Sequence, residues 1–375
     1  MSKEIKSSNR LYFIDALRGL AALYVLVYHI LLIPEYELAI PEIIRPIIMY
    51  GSTGVTLFFV ISAFTLCYTL HGKENDKNAT LYFYIRRVFR IVPLYYVWFF
   101  GTYAFEWGKG VFAYLWSQKF TIMIYSFFLF NFIPGKQDGI VWASWTIGVE
   151  MVFYIIFPFL FKWCNSLRKS FILFIISVII ARIHIIVLGS IPGYNTYFGI
   201  LSQLPVFAVG MMCFFIYDRI KDQNIHKKYG TLLIGIAAFG FVALPYININ
   251  LKLFPAFYIM ALVYGCLLIG LYIFPIKLIV NKLTLFSGLI SYSLYLNQSR
   301  FVYWMGDYYE HVYSIGYNHL FSYLICIVIT IIPLSVISYL TYRIIEKPGI
   351  DLGRLLIKKI KVKSDLAELK TNLSS

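Results

Sequence analysis

The chain has 375 residues, 60% of them hydrophobic and only 14% charged, with mean hydropathy +0.74 and a formal net charge of +15. A soluble domain could not keep that much apolar surface out of water, so the composition excludes soluble classes and points to an all-α, polytopic membrane protein. The basic balance then needs no nucleic-acid partner, because loop topology accounts for it.

Ten apolar segments are long enough for a bilayer crossing, which needs about 20 residues each. The first, 11–33, follows a basic start but lacks a small-residue cleavage site, so it reads as a retained helix. It carries Asp15, Arg18 and His29. His29 lies eleven positions after Arg18, about three turns plus 20°, so the two share a face about 16 Å apart along the axis. Asp15, three residues before Arg18, is close enough to pair with its guanidinium. Ionisable groups in a membrane helix usually face a bundle interior or a watery cavity. A snorkelling Arg18 and a core His29 would be the bland alternative. Three polar groups on one stripe favour function, and the expectation is one common cavity seen by both Arg18 and His29.

The second segment is 51–71, and the third, 88–107, starts beside Arg86, Arg87 and Arg90. Arg grips phosphate bidentately, so these are candidates for an anionic ligand at the inner mouth, Arg87 and Arg90 more than Arg86. The stretch 111–133 is split by Gln118 and Lys119 and reads as interfacial or re-entrant. Segment four, 142–163, holds Glu150, and segment five, 170–189, holds Arg182. Counted from opposite sides the two lie at matching depths, so they could form a buried pair, or Glu150 could orient the His29 imidazole. Trp142 and Trp145 could stack on a sugar or anchor at the interface.

Segments 197–217, 230–246, 254–274, 284–304 and 319–342 complete the set. With both termini cytoplasmic, 25 of the 33 Lys and Arg residues fall on the inner side. An eleventh crossing at 111–133 would ruin that asymmetry. The domain expected is 1–345, followed by a basic tail, 346–375, that seeks anionic membrane lipids. The five cysteines fall in apolar stretches without pairing motifs and read as packing residues. His184 reads as core, His71 as interfacial, and the spacing of His311 and His319 suggests no metal.

At the level of motifs the chain resembles the membrane acyltransferase-3 family of bacterial O-acyltransferases. "LRGLAALYVLVYH" matches its Arg-x10-His signature at Arg18 and His29. "GSTGVTLFFVISAF" matches the second-helix motif, with Ala63 where Gly is usual. "RRVFRIVPLYY" carries Arg-x-x-Arg at Arg87 and Arg90. "WTIGVEMVFYIIFP", "SYSLYLNQ" and "YRIIEKP" stand in the family's order, with Gln298 where many relatives carry His. The resemblance implies a standalone O-acyltransferase of the bacterial inner membrane, with no metal and no resident cofactor. Acetyl-CoA or another acyl-CoA would be the donor substrate, and a glycan or lipid-linked sugar such as lipopolysaccharide the acceptor. His29, Arg18 and Glu150 become catalytic candidates; Arg86, Arg87 and Arg90 donor-binding ones; Asp15, Trp145, Tyr154 and Tyr295 substrate-binding ones. His29 has the pKa range of a general base, and direct transfer with His29 as base is the expectation, a covalent acyl-histidine being the alternative. A transporter moving a small anion or lipid-linked sugar stays open as the competing class.

Overall fold

The structure, a computed structural model, describes residues 11–34, 38–73, 76–107, 118–247 and 255–374. Among the described residues every regular element is helical. That is the form in which a chain this apolar can satisfy its own backbone groups where water is scarce.

The expected segments coincide with helices α1 (Tyr12–Leu32), α2 (Gly54–Leu70), α3 (Ala79–Trp107), α4 (Trp145–Trp163) and α5 (Leu167–Leu188). They continue as α6 (Ile200–Ile220), α7 (Lys227–Ile247), α8 (Ala256–Ile273), α9 (Lys282–Leu289), α10 (Ser291–Trp304) and α11 (His319–Thr341). Among the described residues, 8 helical stretches are long and apolar enough to cross a membrane. The other two expected crossings differ for identifiable reasons. Helix α3 carries Arg86, Arg87 and Arg90 in its first half, and the ninth segment breaks at Ile290 into α9 and α10. Of the ambiguous stretch, residues 111–117 lie outside the described residues. Its remainder begins with a short helix, Lys119–Ser126, held on α3 where Tyr95 and Tyr96 donate to the Tyr125 and Ser126 carbonyls at 3.1 and 3.0 Å.

Helix α1 is gripped on two sides by glycine. A Cβ on Gly54 would lie 2.7 Å from the Ala21 carbonyl oxygen, and one on Gly51 would lie 2.6 Å from the Tyr24 carbonyl. On the other side a Cβ on Gly288 of α9 would lie 1.9 Å from the Asp15 carbonyl oxygen. Small residues let membrane helices approach to backbone contact, and here they fix the rotation of the Asp15–Arg18–His29 stripe. Gly288→Ala must push α1 and α9 apart, so it is expected to destabilise the fold by about 1–3 kcal/mol. A lowered melting temperature of the detergent-solubilised variant checks this. The departure at Ala63 has a local answer too: the missing Cβ of Gly210 on α6 would lie 2.8 Å from the Ala63 methyl.

After α11 the chain makes one π-helical turn, Tyr342–Glu346, before α12 (Lys347–Ser374). Helix α12 returns along the start of α3, where Ile357 packs with Tyr82 and Ile85 and Lys361 lies over the Tyr82 ring. Gly349 and Gly353 allow that approach by facing the Phe89 backbone and side chain. The five cysteines are free and four of them are buried, as packing residues would be.

Candidate active site

The stripe on α1 opens on two cavities rather than one. The first lies at the end of the bundle bearing the basic loops, here termed inner. It is narrow, about 70 Å³, and is lined by Arg18, Arg87, Arg90, Glu150, Ser62 and Tyr154, with Tyr292 and Tyr295 from α10. The second, outer cavity is about 440 Å³ and is lined by His29, Tyr28, Ser52, Asp138, Trp142, Trp145, Tyr197 and Phe198. Val55 and Tyr295 line both. Arg18 and His29 therefore occupy neighbouring chambers across a shared wall, where the helix stripe alone suggests a single one.

In the inner cavity three guanidinium groups from two helices face one carboxylate. The Ser62 and Tyr154 hydroxyls share a hydrogen bond at 3.2 Å in the same lining as Glu150, whose charged neighbours are Arg87 and Arg18. Arg87 also lies over the Phe83 and Tyr154 rings at 5.8 and 5.5 Å, an arrangement that holds a guanidinium without neutralising it. Matching depth suggests Arg182 as the partner of Glu150; that arginine instead neighbours Tyr258, and Glu150 turns into the cavity. Three arginines line the cavity, and a guanidinium group can grip an anionic ligand bidentately.

Not every candidate reaches the cavities. Asp15 sits beside Arg18 and acts on its charge, but it is not among the lining residues. Arg86 points the other way, toward Asp76 and Lys73 in the loop before α3. Burial, the neighbouring Arg86 and Lys361, in that order, push the Lys73 ammonium below its ordinary value. Lys73, Arg86 and Asp76 thus neighbour one another outside the cavity lining.

The outer chamber is built by two braced loops. Gln137 donates to the Asn131 and Asn195 carbonyls at 3.0 and 3.1 Å, and Asn131 donates to the Trp145 and Phe198 carbonyls at 3.0 and 3.1 Å. These bonds hold Trp145 against Phe198, Tyr197 and Phe59, with ring centroids 4.7, 5.2 and 6.2 Å apart. Trp142 carries Arg300 over its ring at 5.4 Å. His29 Nδ1 is buried with no hydrogen-bond partner among the described residues. His184, by contrast, is braced by Ser202 and Tyr194, each at 3.1 Å, as a structural residue should be.

The wall itself is pinned. The Tyr295 hydroxyl donates to the Ala143 carbonyl at 3.1 Å and accepts from Thr146 at 2.9 Å. Ala143 has φ 64°, a left-handed conformation costly for a residue with a Cβ. Backbone strain of that kind concentrates at functional sites, and here it aims the carbonyl that receives Tyr295. Phe58 closes the inner side, edge-on to the Tyr295 ring at 5.7 Å.

Sequence reasoning does not single out Glu346, which is 2% exposed and accepts a hydrogen bond from Ser293 at 2.8 Å. Its charged neighbours are Arg90 and Arg18, so a second carboxylate backs the inner arginines from behind. It also passes over Asn297, which accepts from the Trp98 indole at 2.8 Å and donates to Ser338 and Thr341, tying α3, α10 and α11 together. Both lie within the motifs "YRIIEKP" and "SYSLYLNQ", which is the signal that could have found them. Among the described residues no group of three or more His, Cys, Asp or Glu is arranged to hold a metal ion.

Comparison with known proteins agrees with this architecture. A family model described as "Acyltransferase domain" matches residues 11–340. Relatives in Staphylococcus aureus strains COL and MSSA476, each named "Putative O-acetyltransferase", are 26% identical over 369 residues, covering 89% of this chain and 56% of theirs. The chain thus spans about half the length of the curated relatives it matches. No solved structure matches it.

Proposed function

Since this chain belongs to the acyltransferase family whose domain covers residues 11–340, we propose that it is an integral-membrane O-acyltransferase, passing an acyl group, acetyl first, from cytoplasmic acyl-CoA to a hydroxyl of a cell-envelope glycan. The chain would cross the plasma membrane ten times with both termini in the cytoplasm, so that the arginine cavity opens inward and the His29 cavity outward. One observation carries the reading: three arginines converge on a cavity that abuts, across Val55 and Tyr295, a second cavity lined by His29.

In this mechanism Arg87 and Arg90 hold the anionic donor and Arg18 guides its thioester arm toward the wall. Glu150, with Ser62 and Tyr154, and Asp15 beside Arg18 keep the guanidinium groups oriented. The acceptor lies in the outer chamber, its sugar face against Trp145 and Phe198 and a hydroxyl toward Asp138 or Ser52. His29 removes the proton from the attacking hydroxyl as its oxygen bonds to the acyl carbon. The carbon–sulfur bond then breaks, sulfur keeps the electron pair, and the imidazolium returns the proton to the thiolate. The two chambers suit this division of labour, one for an anion and one for a polyol.

Purified protein given acetyl-CoA and isolated envelope glycan is expected to release free thiol only when both are present. Uptake of sugar or anion into proteoliposomes without thiol release would instead favour a transporter.

A further inference from the structure

We propose that Val55, Phe58 and Tyr295 are the residues that set acyl-chain length in this protein. The inference rests on the donor and acceptor assignment above and adds the part of the site that discriminates among donors. If the thioester approaches from the arginine side and the hydroxyl from the His29 side, the acyl carbon must react at the boundary between chambers. Val55 and Tyr295 are the residues that line both. The sulfur then lies on the inner side, and the tail of the acyl group has to fit against Val55 and the Phe58 ring.

Little room exists there. The inner cavity amounts to about 70 Å³, against about 440 Å³ for the outer one. An acyl tail turned to the inner side meets Val55 and Phe58, so each added methylene presses on those walls. Nor can the wall readily swing aside. Tyr295 is tied by its hydroxyl to both Ala143 and Thr146, and Phe58 lies edge-on against its ring. Val55 sits on α2 next to Gly54, where backbone contact with α1 denies the helix any retreat. The limit is therefore steric and local, made by three side chains on two helices.

Membranes from cells expressing the full chain, opened so that their cytoplasmic face is accessible, provide the test. They keep whatever acceptor the cell supplies. Radiolabelled acetyl-CoA and butyryl-CoA are compared by label retained in delipidated envelope. A methylene too many in a tight apolar pocket is worth about 10–200-fold, so the wild type should prefer acetyl by at least tenfold. Phe58→Ala should raise the butyryl-to-acetyl ratio of kcat/KM about tenfold or more, whatever it does to the absolute rate. Val55→Ile, which adds one methylene and leaves the fold least disturbed, should lower a propionyl-to-acetyl ratio severalfold. A loss of stability alone would reduce all donors together and leave both ratios where they were. Wild-type transfer with ratios unchanged in the two variants overturns the wall as the selector while leaving the acyltransferase reading intact. No transfer from any acyl-CoA by the wild type would overturn the donor assignment and this inference with it.

Discussion

His29→Ala is expected to insert and fold like the wild type and to lose acyl transfer by roughly 10²–10⁴-fold, the usual worth of a positioned general base. The imidazole sits in the last turn of α1, where it lines the outer chamber and packs on its own neighbour Tyr28 at 5.5 Å. Its Nδ1 has no hydrogen-bond partner among the described residues, so removing the ring breaks no structural bond of that atom. This separates a chemical role from a structural one. Size-exclusion profile and helical content should match the wild type, KM for the acyl-CoA should stay within about twofold, and kcat should fall. Full transfer by the variant would take His29 out of the mechanism and leave the outer chamber without a base.

Replacing both Arg87 and Arg90 with Gln is expected to do the opposite, raising KM for the acyl-CoA by about a hundredfold while changing kcat far less. Hydrogen bonds to a charged group contribute about 1.5–3 kcal/mol each, so losing one or two such contacts reaches that size. Salt offers a second measurement. Wild-type KM should climb with ionic strength as the arginine field is screened, and the double variant should be nearly indifferent. Arg86→Gln serves as the internal comparison, because that side chain turns toward Asp76 and not into the cavity. A rise confined to the KM of the acceptor would mean that the donor enters elsewhere.

Much of this architecture is legible in the sequence, and the reason is physical. Apolar length dictates helices in a membrane chain, so all ten expected segments meet helices, most of them displaced by only a few residues. The face shared by Arg18 and His29 comes from helix geometry alone. Depth, however, is not direction. Glu150 and Arg182 sit at similar heights by residue count, yet Glu150 turns to Arg87 and Arg18 because α4 presents that face to α2 and α3, which no count along one helix reveals. The wall is equally hidden, since Val55 and Tyr295 are 240 positions apart and meet only through packing. Glu346 reads as an ordinary surface acid between Arg343 and Lys347. Its inward turn depends on backbone winding that local composition does not announce.

That winding has a further meaning for the molecule as a whole. A π turn holds an additional residue within one helical circuit, so α12 leaves α11 in a different angular phase from a continuous helix. Its phase is what aims Gly349 and Gly353 at Phe89, and what lets the Glu346 carboxylate reach Ser293. Wound as an ordinary α-helix with no residue removed, 342–346 would rotate everything beyond by about 100°, a quarter-turn and more. The glycine notch would then miss α3, and the carboxylate behind the inner arginines would swing off them. One residue's worth of winding thus couples the far end of the chain to the arginines of the inner cavity.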